Sequence, residues 1–186
     1  MLTQATCSAF VSQTESREVR KFTGLEISGL AEVIITQASK QKLMIKVSGI
    51  SIKDVITQVE NETLIITTKS FHRGESVLVF VNYNQLNSMN TSGSTELTGT
   101  NTLFTKPMIV TTNVAENIKD LAIKADKLTV SITGSDNTNL NVEVENIIMK
   151  INDFGDLSVQ GMAEQQHISS NGSRVTLSNP DLAYSK

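Results

Sequence analysis

Three aspartates in the last third of the chain stand where carboxylate chemistry is conceivable. Asp153 and Asp156 flank Gly155, and Asp136 falls about one repeat earlier, where stacking would bring it to the same edge. Carboxylates aligned in this way could bind Ca²⁺ through oxygen ligands, or act as the acid and base of a polysaccharide-cleaving enzyme. The competing explanation is local. Asp and Asn favour turns because their side chains bond the nearby backbone and tolerate left-handed geometry. No cluster of Lys or Arg surrounds these acids in the sequence, and the turn explanation is preferred.

Other chemistries find less support. His72 and His167 are isolated and lack the paired His or Cys spacing of a zinc site. Serines are plentiful, yet there is no Gly-x-Ser-x-Gly elbow, and two scattered histidines build no triad. Tyr83 and Tyr184 could each contact a sugar but lie too far apart in sequence to make a platform. Asn61, Asn90 and Asn171 open Asn-x-Ser/Thr triplets, which are a coincidence of sequence if the host is bacterial. Cys7, the single cysteine, has no disulfide or metal partner, and Thr6 before it suits lipid attachment poorly. No catalytic, cofactor-binding or metal-ligating residue is assigned, and no cofactor is expected.

The elements that would carry any site are strands. From Leu86 to Leu182, short alternating runs recur at a period of roughly 20, the range of stacked-repeat architectures. First runs end near residues 86–91, 107–112, 128–133, 148–154 and 167–171, followed by Gly93, Asn113, Gly134, Gly155 and Gly172. Second runs occupy residues 118–123, 140–144, 157–159 and 175–177, with 96–98 as a weaker first member. The spacing predicts a β-solenoid of two strands per coil, separated by a turn that needs a residue tolerant of positive φ. Leu128, Val130, Ile132, Leu140, Val142, Val144, Met149, Ile151, Leu157, Val159, Ile168, Val175 and Leu177 should point inward. Residues 113–127 also space their apolar side chains three or four apart, but fall where the repeat expects a strand.

Ahead of the repeat, Leu25 and Ile27, Val33 and Ile35, Leu43, Ile45 and Val47, and Val77, Val79 and Val81 each alternate with polar residues as half-buried strands do. Residues 57–60 and 64–67, about an Asn61-Glu62 bend, read as an antiparallel hairpin. The expected organisation is a flexible tail or export-signal remnant at 1–20, then a single β-solenoid domain at 21–186 with an internal joint at 71–76. The first 16 residues hold no intact secretory signal, although residues 2–10 read like the last part of one. Of the 186 residues 39% are hydrophobic and only 4% aromatic, so aliphatic side chains must carry the core. A net charge of −3 gives no electrostatic footprint for nucleic acid.

Several stretches resemble a known family, the bacterial putative autotransporter adhesin head domain, or GIN domain, whose function is unknown. They are Arg17-Glu18-Val19-x-x-Phe22-x-Gly24-Leu25, the run from Ala31 to Gln37, Val59-x-Asn61-x-Thr63-Leu64-Ile65-Ile66, and the turns at Ser92-Gly93-Ser94, Thr133-Gly134-Ser135 and Phe154-Gly155-Asp156-Leu157. The resemblance covers nearly everything after the tail. It implies an all-β, right-handed β-helix-like fold, export to the cell envelope and no established enzymatic activity. Asn113 stands where the family places a turn glycine, and Asp136-Asn137 and Arg174 stand where it places Gly-Asp, which weakens a ligand role for the turn carboxylates.

The expectation is an all-β, right-handed β-helix-like solenoid with some antiparallel strands in its N-terminal half. It would act as a non-enzymatic, extracytoplasmic module for binding or adhesion. Its partner would be a glycan or envelope protein, with no nucleic acid and no transmembrane segment in this chain. A carbohydrate-active enzyme using Asp136, Asp153 or Asp156 and a self-associating structural protein, a homo-oligomer, are the alternatives.

Overall fold

The computed structural model describes residues 12–69, 74–113, 117–134, 138–153, 156–171 and 174–178. Among them twelve strands form one mixed, unclosed sheet. They are β1 (Ser12–Arg17), β2 (Gly24–Gln37), β3 (Lys42–Ser48), β4 (Val55–Glu60), β5 (Thr63–Thr68), β6 (Ser76–Tyr83), β7 (Ser88–Gly99), β8 (Leu103–Asn113), β9 (Asn117–Gly134), β10 (Thr138–Asp153), β11 (Asp156–Ser170) and β12 (Arg174–Ser178), with one 3₁₀ turn at Ile52–Asp54.

From β7 onward every pairing is parallel, and each residue lies beside one about 20 positions later. Leu103 pairs with Ile123, Ile123 with Val142, and Val142 with Gly161. Register of this kind sets aliphatic side chains over one another. Leu128, Val130, Ile132, Leu140, Val142, Val144, Met149, Ile151 and Val159 are all buried, as their alternation predicts. The side chains of Leu157, Val175 and Leu177 lie outside the described residues. Ile168 departs from expectation, keeping 36% of its surface exposed. The cause is its position, because β12 pairs with β11 only over Asp156–Gln160 and no described strand covers β11 beyond that point.

The N-terminal strands join this stack through β2 and then diverge from it. β2 runs parallel to β7 along nearly its whole length, Gly24 beside Ser88 through Ile35 beside Gly99. On its other side the first half of β2 pairs with β5 and the second half with β6. Antiparallel partners extend both arms, β4 on β5, and β3 then β1 on β6. At the fork, Leu30 faces neither arm's ladder. Thr68 fills the gap: its Oγ1 accepts from the Leu30 N–H at 2.8 Å and donates to the Leu30 carbonyl at 3.0 Å. The hairpin expected at residues 57–67 is β4–β5, closed by Asn61 and Glu62 with φ of 47° and 59°. That is the double left-handed turn favoured by the twist of two-residue hairpins.

Three expectations are corrected. The tail over residues 1–20 ends sooner, since Ser12–Arg17 pairs along β3, and Arg17 donates to the Val55 carbonyl at 2.6 Å, to Thr57 Oγ1 at 2.9 Å and to the Ile52 carbonyl at 3.1 Å. Asn113 does not occupy a turn-glycine position. It lies beside Ser92 and Thr133, each one residue before a turn glycine, because the offset shortens by one between successive rungs. The joint at 71–76 separates no bodies among the described residues, as the strands on either side of it, β5 and β6, share β2; residues 70–73 lie outside the described residues.

One glycine pair shows how tightly the register is held. Gly29 and Gly93 are direct partners with φ of 103° and 97°, and a Cβ on Gly93 would stand 2.6 Å from the Gly29 carbonyl oxygen. Gly93→Ala is expected to lower unfolding free energy by about 2–3 kcal/mol, since both the backbone conformation and the contact forbid a side chain; an unchanged urea midpoint would contradict this. Tyr83 supplies a second test. It is buried in the core at 1% exposure, and desolvation raises its hydroxyl above the ordinary phenol range. The unfolded chain therefore loses this proton first, and stability should fall as pH rises above about 10. Tyr83→Phe should flatten that alkaline decline in chemical denaturation measured from neutral to strongly basic pH.

Candidate functional site

Across β8 to β11 runs an open groove of about 570 Å³. Its floor is the row Thr105, Ala125, Val144 and Ala163, each the register partner of the next. Ala125 and Val144 turn their side chains into the core, so the surface dips between the two outward rows that flank them. One wall is Phe104, Lys124, Glu143 and Met162, again register partners in sequence. The other is Asp126, Glu145 and Glu164, held in line by the pairs on either side of them. Lys106 precedes Asp126 in that second row on β8.

The electrostatics of the two walls differ. Lys124 forms an ion pair with Glu143 across β9 and β10. Asp126, Glu145 and Glu164 form no ion pair among the described residues. Adjacent rungs are about 4.8 Å apart, and like charges directly opposite one another on neighbouring strands are unfavourable. The groove thus combines a neutralised pair, a strip of excess negative charge and two exposed apolar ends, Phe104 at 57% and Met162 at 44%.

Phe104 is held in place by a side chain from the far end of β2. The Gln37 amide accepts from the Phe104 N–H at 2.8 Å and donates to the Phe104 carbonyl at 3.1 Å and the Asn84 carbonyl at 3.0 Å. The Gln37 backbone is clasped in turn by the Asn101 amide, through its N–H at 2.9 Å and its carbonyl at 2.9 Å. Two side-chain amides replace the strand pairing that ends with β7 at Gly99.

Asp153 ends β10 beside Gly134, and Asp156 opens β11 beside Arg174; Asp136 lies outside the described residues. His167 is exposed on β11 beside Ile148. Tyr83, considered as a sugar contact, is enclosed in the core and reaches no ligand. Asn61, Asn90 and Asn171 are exposed. Cys7, His72 and Tyr184 lie outside the described residues. Among the described residues no group of three His, Cys, Asp or Glu converges to hold a metal ion. A second concavity of about 430 Å³ lies between β1 and β4, but Arg17 and Arg20 there direct guanidinium donors at the carbonyls of Val55, Ile52 and Val59 and fasten the edge strand.

Sequence reading passed over the groove because it searched the turns. The signal was present: Asp126, Glu145 and Glu164 recur at the repeat spacing of roughly 20. Gln37→Ala removes the clasp and is expected to cost about 2 kcal/mol. It should also speed hydrogen exchange at the Phe104 amide, and unchanged exchange there would show that Gln37 does not position it.

A family described as putative auto-transporter adhesin, head GIN domain, matches residues 21–179. A putative adhesin from Parabacteroides distasonis ATCC 8503 has a similar crystal structure, at 15% identity and TM-score 0.65, covering 91% of this chain and 79% of that one. A putative adhesin from Bacteroides fragilis NCTC 9343 matches at 14% identity and TM-score 0.57, over 91% of this chain and 97% of that one. A putative lipid binding protein from Parabacteroides distasonis ATCC 8503 matches at 15% identity and TM-score 0.56, over 90% and 93%. Likeness at these identities speaks to fold alone. No functionally curated protein matches the chain. The family match takes in β2 to β12, which is the stack and both arms apart from the outermost strand β1, and the chain belongs to the putative auto-transporter adhesin head GIN domain family.

Proposed function

We propose that this chain is a non-enzymatic, extracytoplasmic binding module, built as a right-handed β-solenoid that takes its ligand on the outer surface. The offset of about 20 residues between paired rungs supports the solenoid. The right hand follows from the strong general preference of crossovers between parallel strands. The adhesin family supports a place outside the cytoplasm, and among the described residues no helix is long and apolar enough to cross a membrane.

The observation that carries the binding reading is the layout of the groove. Its charged and apolar groups lie in line along two walls, a geometry that holds an elongated ligand, whereas catalysis requires groups convergent on one reacting atom. The names of the structural relatives, adhesin and lipid binding protein, likewise describe binding. A self-associating protein is the second reading, favoured by the uncovered edge of β11 beyond Gln160 among the described residues.

Purified protein is expected to bind isolated envelope polysaccharide or envelope protein saturably in interferometry, without releasing reducing ends. Release that disappears in Asp153→Asn or Asp156→Asn would overturn this in favour of a carbohydrate-active enzyme. Mass growing with concentration in light scattering, with no binding to either fraction, would favour self-association.

A further inference from the structure

The groove also indicates what kind of ligand it accepts, an inference that rests on the binding-module reading. We propose that it takes an extended, cationic segment of a protein partner, one that carries Lys or Arg beside apolar side chains. Three features of the groove lead to this class.

The first is charge. One lysine stands among four carboxylates in the lining, and that lysine is already paired with Glu143. Asp126, Glu145 and Glu164 remain stacked as like charges, and a cationic guest relieves their repulsion. Anionic polymers are repelled by the same strip. A point metal ion fits poorly as well, because one carboxylate per rung gives a line and no three converge among the described residues.

The second is the apolar pair. Exposed aromatic and Met side chains mark protein contact sites more often than solvated surface, and Phe104 is fixed by the Gln37 clasp. Its ring face offers a cation–π partner for Arg or Lys, best when both are partly desolvated. The third is length. From β8 to β11 there are three inter-strand spacings, about 14 Å, which four or five residues of extended chain cover.

The test uses the full chain and a fluorescein-labelled hexapeptide alternating Arg and Leu, with its Glu–Leu counterpart as control, read by anisotropy. The cationic peptide should bind and the acidic one should not. Affinity should fall steadily as ionic strength rises from roughly 50 to 500 mM. The double variant Glu145→Gln, Glu164→Gln should bind at least about tenfold more weakly, a loss of about 1.4 kcal/mol, and Phe104→Ala should also weaken binding. Replacing stacked carboxylates removes repulsion, so the double variant should melt no lower than the parent; lost binding at an unchanged or raised melting temperature separates recognition from unfolding. Binding that survives both variants, or calcium displacing the peptide at matched ionic strength, would overturn the proposal. Absent peptide binding with envelope binding intact would overturn this inference alone, and absence of both would overturn the module reading with it.

Discussion

Hydrogen bonds between β9 and β10 set Leu140 beside Leu121 and Asp153 beside Gly134, and the same register continues into β8 and β11. At a spacing of about 4.8 Å, each side chain then meets its counterpart on the next rung before it meets anything else. A residue in such a stack is therefore chosen for what stands above and below it. Aliphatic positions gain from this arrangement: Val110, Val130 and Met149 form one inward column, each shielded by the next. Glycine positions depend on it as much, since Gly93 fits over Gly29 only while neither has a side chain. The register explains why so few aromatic residues suffice for the core.

Much of this was legible, because alternation and burial answer to the same period of two. The inward side chains of β9 and β10 follow from their spacing alone, as do Leu43, Ile45 and Val47 in β3 and Val77, Val79 and Val81 in β6. What escaped was non-local. The placement of Asn113 turned on a one-residue change of offset, which no local pattern records. Residues 12–17 look like a polar tail, and become a strand by pairing along β3 while Arg17 finds three acceptors some 35 to 40 positions away. Likewise the run from Ala31 to Gln37 is recognisable as a motif, while the reason for its last residue lies in β8, at Phe104.

The two ends of the stack are closed by different means. At the start, β2 is covered by two antiparallel arms that diverge at Gly29, with Thr68 meeting the backbone groups of Leu30 left between them. The outermost strand of one arm, β1, is short and carries the Glu15–Arg17 ion pair, features that discourage further pairing. At the other end, the inward column of Ile147, Met149 and Ile151 is followed on β11 by Gln166, Ile168 and Ser170. Two of the three are polar, so another rung would gain little apolar contact there. The exposure of Ile168 is a consequence of that ending and follows from its place in the last long strand.

The outer surface is where the stacking rule leaves room for choice. Rows of Asn, Thr and Ser such as Asn90, Thr111 and Ser131 repeat at little cost, because hydroxyl and amide groups tolerate their own kind. Carboxylates do not, and two of them are offset by lysines: Glu96, which stands beside Glu32, pairs with Lys119, and Glu143 pairs with Lys124, each across neighbouring strands. Asp126, Glu145 and Glu164 stand in line over three consecutive rungs with no such lysine paired to them among the described residues, directly beside the row whose inward turn at Ala125 and Val144 opens the groove. A neutral substitution at any of the three would ease the stack without disturbing the core. The strip therefore keeps three like charges in register beside the groove, with Lys106 next to Asp126 at one end and no ion pair to any of the three among the described residues, and the cost of that repulsion is what a cationic guest would relieve.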